Sequence, residues 1–254
     1  DSEVRHTVAR AVDIDELGSG LRIFLDSGEA LDAEVVIVAT GNDAPLPPPQ
    51  FNEDVTTHPG YVGEPLRRNA LVDVDPAGRV LVVGSALTAA DVMVSLLRNG
   101  HTGPIDSISR TGLLPARKAP SLSVDANVAW QRITTRNTLF VERHGELDTV
   151  GQIVKALRAD IALARRNGLP WQGPFDELRD SLRAVWPRLG SAEKGRYLRH
   201  LRRWYDSHRF RLPPQLESVL DAAADHGQIR YLVGRLNDAR VDGDTLRVRL
   251  RERA

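Results

Sequence analysis

Val80-Leu81-Val82-Val83 runs without a polar break into Gly84-Ser85-Ala86-Leu87-Thr88-Ala89-Ala90-Asp91. A short, continuous apolar run suits a strand buried on both faces, as in a parallel sheet. The glycine behind it permits a sharp reversal from strand into helix. A helix is expected from there to about Asn99-Gly100, where the glycine suits a C-terminal cap. Ile105 to Arg110 reads as the next strand. Strand, glycine turn, helix and strand make a parallel crossover, right-handed by default, and they place the chain in the α/β class.

The Gly84–Ala89 segment fits the pattern G-x-G-x-x-A except at its second glycine, where Ala86 stands. In that pattern the first glycine makes the turn and the second lets backbone approach a pyrophosphate. The third small residue packs helix on strand. The start of the helix then offers free N–H groups and the positive end of its dipole to the phosphates. Gly84, Ser85, Ala86, Leu87 and Thr88 are therefore candidate dinucleotide contacts, with the Ala86 methyl expected to weaken binding or shift the pyrophosphate. A structural turn without a ligand is the alternative.

The end of the second strand reports on the cofactor's ribose. An acid there suits NAD and an arginine suits the 2′-phosphate of NADP. The chain has Ser109-Arg110-Thr111, with Arg117 and Lys118 just beyond. Ser109 and Arg110 are thus candidate phosphate ligands, because a guanidinium can bind bidentately, and NADP is favoured over NAD. A solvated surface arginine is the competing reading.

Elsewhere, Val4 to Val12 suits a short strand, Leu21 to Leu25 alternates apolar with polar, and Asp26-Ser27-Gly28 reads as a turn. Ala33-Glu34-Val35-Val36-Ile37-Val38-Ala39, ending on Thr40-Gly41, is expected to be a buried strand. Pro45, Pro47, Pro48 and Pro49 make a stiff connection. From about Val124 to Leu216 apolar residues recur at helical spacing: Ile153, Val154, Leu157, Ile161 and Ala164, then Leu178, Leu182 and Val185, then Tyr197, Leu198, Leu201 and Tyr205. A helix over Leu216–Ala224, a strand at Ile229–Val233 and a hairpin around Asp242-Gly243 follow. The expected organisation is a β-rich region at 1–50, a βαβ core at 51–123, a helical insertion at 124–215 and a return to the nucleotide-binding domain at 216–254.

His6 to Val38 runs as strand, hairpin and buried strand, and Gln228 to Leu250 repeats the first two parts. On this echo the chain is expected to start inside one dinucleotide-binding domain and end inside a second. Two unrelated hairpins are the plainer explanation.

Composition removes several function classes. The chain has 254 residues, 34 basic and 34 acidic, and no cysteine. Zero net charge gives no global field toward nucleic acid or an anionic membrane. Without cysteine there is no disulfide framework, thiolate zinc site or redox dithiol. No apolar run approaches the roughly 18 residues of a spanning helix, and the charged N-terminal stretch is unlike a signal peptide, so a cytoplasmic protein is expected. No Ser/His/Asp order, H-E-x-x-H or convincing acidic pair supports a hydrolase. No metal site is expected, and the partners are taken to be an unidentified small substrate and, as an open option, further copies of the chain.

Val82 to Asp91, then Gly103-Pro104-Ile105 through Ile108-Ser109-Arg110-Thr111-Gly112-Leu113-Leu114-Pro115, resemble the bacterial FAD/NAD(P)-binding proteins. These are related to flavin-containing monooxygenases and pyridine-nucleotide-dependent flavoprotein reductases. Trp171, Trp186-Pro187-Arg188-Leu189, Arg196 to Leu201 and Trp204 to Arg209 extend the resemblance from about Val35 to Leu250. The resemblance implies a Rossmann-like NAD(P)-binding domain with a helical insertion, plus part of an FAD-binding domain. It further implies an FAD- and NADP-dependent oxidoreductase in which NADPH delivers hydride to flavin. Thr40 and Gly41 would lie near the flavin nucleotide. The family's opening FAD turn, its usual glycine at position 86 and a second closing strand are not in this sequence. FAD is accordingly expected in a full-length protein rather than in this chain alone. A non-catalytic nucleotide-sensing or protein-interaction module is the second reading.

Three further groups are singled out. Lys194 to Arg211 is rich in arginine, and Arg196, Arg199 and Arg203 would share one helical face, as an anion site or a solvated basic surface. His58 reads as a loop histidine or a residue near a flavin. Trp130, Trp171, Trp186 and Trp204 are expected in the core, with a substrate pocket as the other option.

Overall fold

Leu21-Arg22-Ile23-Phe24-Leu25 alternates side chains across a pleat and forms the middle strand of an antiparallel sheet. The computed structural model describes residues 4–39, 44–118, 128–131, 133–134 and 140–252. It divides into two units, Asp1–Ala44 and Pro45–Ala254. In the first, β1 (Ala11–Glu16), β2 (Leu21–Leu25) and β3 (Ala30–Ala33) lie in the order β1-β2-β3. The expected turn closes through Leu25 N–H to the Glu29 carbonyl at 2.9 Å, with Gly28 at φ +85°. Arg22 and Asp32 pair bidentately across the sheet at 2.7 Å.

Two expectations for this unit are corrected. The first strand runs over Ala11–Glu16 and shares only Ala11 and Val12 with the expected Val4–Val12. The run after Ala33 is no buried strand: residues 35–39 pair with no described residue, and Val35, Ile37 and Val38 are 76%, 86% and 72% exposed. β-branched residues favour a strand because they pack on a pleated, half-covered surface, and no described strand supplies one here. Thr40 and Gly41 lie outside the described residues.

In the second unit β4 (Val80–Val83), β5 (Ile105–Ser109), β6 (Ile229–Asp242) and β7 (Thr245–Glu252) form one sheet in that order. β4, β5 and β6 are mutually parallel, and β6 and β7 close an antiparallel hairpin at Gly243. This is a mixed α/β sheet. Between β4 and β5 runs the expected helix α2 (Leu87–Arg98), after the short helix α1 (Glu53–Thr57). It ends as the sequence indicates, with Gly100 at φ +86° and its N–H on the Leu97 carbonyl. α2 buries Ala89, Ala90, Val92, Met93, Val94 and Leu96. These pack with Val82, Ile105, Ile229 and two residues of a later helix, Leu220 and Ala223.

Asp106 is a charge inside this sheet. Its carboxylate accepts from Arg230 at 2.8 and 3.0 Å and from Arg79 at 2.8 Å. Those bonds, Arg230's first, outweigh burial and hold the carboxyl below its usual range. A depressed acid stabilises the fold above its unfolded value, and that stabilisation disappears as pH falls through the folded one. Asp106→Asn is expected to cost about 1–2 kcal/mol at neutral pH, limited by the solvent around both arginines. The difference from the parent should close below about pH 4. Urea melts at several pH values check this; a pH-independent gap would show that the charge contributes nothing.

The connection from β5 to β6 carries its own core. α3 (Phe140–His144), α4 (Val150–Arg166), α5 (Gln172–Arg188), α6 (Ser191–Arg196), α7 (Arg202–Arg209) and α8 (Pro214–Asp225) lie there. Thr149 and Gln152 cap α4 reciprocally. Phe140, Leu147, Val150, Ile153, Leu178, Val185 and Leu189 pack together. Tyr197–Leu201, between α6 and α7, is a π-helical stretch, with the Arg202 N–H reaching the Tyr197 carbonyl five residues back.

That stretch corrects two sequence expectations. Leu198 is 53% exposed instead of joining the core. One residue is absorbed between Arg196 and Arg203, which turns Arg203 roughly 100° away from the face it would otherwise share with Arg196 and Arg199.

Candidate functional site

The turn after β4 lies at the C-terminal edge of the parallel strands, where open α/β sheets bind ligands. Gly84 has φ +130°, which a side chain would strain, and a Cβ built there would meet nothing within 4 Å. The turn is fastened from below: the Gly84 N–H donates to the Ile108 carbonyl at 2.9 Å, and Ser107 Oγ donates to the Gly84 carbonyl at 2.8 Å. Ala86 is the extended N-cap of α2, is exposed, and caps nothing with its side chain. No acid occupies the first helical turn. Thr88 is exposed and Leu87 half-buried. The position a Gly84 side chain would take is open among the described residues, and the Ala86 methyl does not reach it.

The Ser85 hydroxyl donates to the Leu113 carbonyl at 3.0 Å, tying the turn to the loop after β5. Parallel pairing of Val83 with Ile108 sets the end of β5 beside the turn. Ser109 Oγ accepts the Gly112 N–H at 3.1 Å and keeps its own proton to donate. Arg110 is exposed at this edge and makes no ion pair with a described residue. Arg117 is not available in the same way. It binds Glu217 at 2.8 Å and Asp221 at 2.9 Å, both on α8.

Two determinants of this loop were not legible in the sequence. Gly112 has φ +69°, and a Cβ there would lie 2.7 Å from Val233 Cγ2 on β6. Ala116 donates to the Ser207 carbonyl at 2.7 Å and accepts the Leu212 N–H at 3.1 Å, so the loop joins the turn to the helical region. Beneath it a pocket of about 100 Å³ is lined by Ser85, Met93, Arg117, Asp221 and Tyr231 among others. Sites that enclose a drug-sized ligand run to roughly 300–1,000 Å³. A dinucleotide would therefore lie across the open strand edge, not inside this pocket.

A second polar cluster sits in the helical region and was also missed, because its members are far apart in sequence. Arg143 binds both oxygens of Glu177 at 2.5 and 2.6 Å and reaches Asp160 at 2.8 Å. His144 Nε2 meets the same Asp160 oxygen at 2.9 Å, and Trp130 Nε1 donates to Glu177 at 2.8 Å.

The remaining singled-out residues divide. Within the basic stretch, Arg196 pairs with Glu193, Arg202 with Asp206 and Arg211 with Asp176. His58 Nδ1 accepts the Gly60 N–H at 2.9 Å, a loop-stabilising bond. Trp130 is buried, whereas Trp186 and Trp204 are 37% and 47% exposed. Trp186, Tyr197, Tyr205, Phe175, Trp171 and His208 form a run of ring contacts between 5.0 and 6.1 Å. Burial pushes the Tyr197 phenol up to about 12. Among the described residues no group of three His, Asp or Glu side chains could hold a metal, and no helix is long and apolar enough to cross a membrane.

No family model matches the sequence, and no curated protein matches it. Solved structures that resemble it include that of L-lysine 6-monooxygenase from Pseudomonas syringae. The likeness covers 95% of this chain and 47% of that one, at 15% identity and a TM-score of 0.42. The chain thus spans about half the length of that protein.

Proposed function

We propose that this chain is the NADP(H)-binding part of an FAD- and NADP-dependent oxidoreductase, with a monooxygenase-like reaction. The observation that carries the reading is the Gly84 turn: a left-handed glycine with open space above it, leading into a helix start that no side chain caps. Backbone amides of Leu87 and Thr88 would hold the pyrophosphate there, with Gly84 and Ala86 allowing its approach. Arg110, exposed and without an ion pair among the described residues, would take the 2′-phosphate, with the Ser109 hydroxyl as a second donor. When bound, the cofactors supply the redox chemistry, hydride passing from NADPH to flavin. The residues of this chain bind and orient the nucleotide.

Titration of NADPH and of NADH, followed by nucleotide fluorescence, tests this reading. NADPH should bind more tightly. Arg110→Glu should weaken NADPH by about 10–100-fold, through a lost charge-assisted contact of about 1.5–3 kcal/mol, while NADH changes little. An unchanged ratio of the two affinities would remove Arg110 from the site. Ala86 at the second glycine position favours the other reading, a nucleotide-sensing or protein-interaction module without redox activity, and that reading takes over if the protein binds neither nucleotide.

A further inference from the structure

β7 is the last strand of its sheet, so one edge has no partner among the described residues. Arg247, Arg249 and Arg251 are exposed on one face, with Leu246, Val248 and Leu250 half-buried on the other. β6 sets Arg240 opposite Arg247 and Arg235 opposite Arg251. The register shift between Leu236 and Asp238 brings this about: without it Arg235 would fall among the apolar side chains. Like charges directly opposite one another cost stability. Among the described side chains, Asp242, paired with Arg247, and Asp238, opposite Arg249, offset the five arginines.

β1 is the complement of this strand. It ends the other sheet, all six of its residues are exposed, and past the register shift at Val12 the apolar Ile14 alternates with Asp13 and Asp15. Asp15 makes no ion pair among the described residues, and Asp13 Oδ1 accepts the Ile14 N–H at 2.9 Å. β7, and β1 from Asp13 onward, repeat with a period of two, roughly 6.8 Å, so Asp13 and Asp15 can follow an arginine row while Ile14 meets the apolar side chains on the reverse face.

We propose that the β1 edge of one copy of this chain adds to the β7 edge of a second copy, joining the two sheets along a seam of aspartate against arginine. Backbone hydrogen bonds supply the affinity of such strand addition, and the side chains supply the choice of partner. β7 against β7 would oppose arginine to arginine, and β1 against β1 aspartate to aspartate. The charges therefore permit the mixed pairing and disfavour the other two. The contact is head-to-tail, which builds rings or short filaments.

Sedimentation over a range of protein and salt concentrations tests the proposal. The protein should associate as its concentration rises and dissociate as salt rises. R247E/R249E and D13K/D15K should each weaken association about a hundredfold, with circular dichroism and melting unchanged. Combining all four substitutions in one chain should restore it. A monomer at every concentration, association indifferent to either reversal, or no recovery in the combined variant would each overturn the proposal. So would a monomer whose arginine face binds a duplex oligonucleotide.

Discussion

Gly103→Ala should lower the melting temperature by roughly 6–12 °C, the shift that about 3 kcal/mol produces in a unit of this size. Gly103 sits where the N-terminal ends of β4, β5 and β6 meet. Its N–H donates to the Pro76 carbonyl at 2.9 Å, and its own carbonyl accepts from Gln228 at 3.3 Å. A Cβ there would overlap the Gly78 carbonyl and lie 2.6 Å from that of Ala77. Both obstacles are backbone, so no rotamer change relieves them and the segment 76–78 must move. Gly78→Ala is the control. The nearest atoms to its Cβ would all belong to the Asp75 side chain, from 3.2 Å, and no backbone lies as close. A Gly103 variant as stable as that control would mean the two segments do not pack this closely.

Arg143→Ala should be as damaging, by about 3–5 kcal/mol. The side chains of Asp160 and Glu177 are only 7% and 17% exposed, and both lean on this one guanidinium. Truncation leaves two nearly enclosed carboxylates, with His144 still on Asp160 and Trp130 still on Glu177 but no opposing guanidinium and little water to replace it. Converting the whole cluster to R143M/D160N/E177Q should recover most of the loss, because the cost comes from uncompensated charge rather than missing contact. Urea midpoints of the two variants against the parent decide the matter. If the triple variant is no better than the single one, packing around Arg143, including its position over Trp130, is what matters.

Local chemistry was legible in the sequence where neighbours in the chain decide the structure. The β4 turn, the start and stop of α2 and the Asp242-Gly243 hairpin are set by glycines and periodicity within a few residues, and they stand where expected. Legibility failed where the deciding atom is distant. Gly112 is required by Val233, Arg117 is captured by α8, and Arg143 meets carboxylates 17 and 34 positions away. Residues 35–39 failed for the opposite reason: a strong local preference has no described surface to act on.

The extra residue at Tyr197–Leu201 has a bearing on the aromatic run. Eight positions separate Tyr197 from Tyr205, which on an ordinary helix would splay them by roughly 80°; the wider turn reduces that to about 20°. The two rings, 6.1 Å apart, can then bridge Trp186 to Phe175 and His208 without a gap. Counting, rather than chemical character, therefore decides which way α7 looks. Any relative that loses one non-aromatic position here would keep every ring and still sever the line between them.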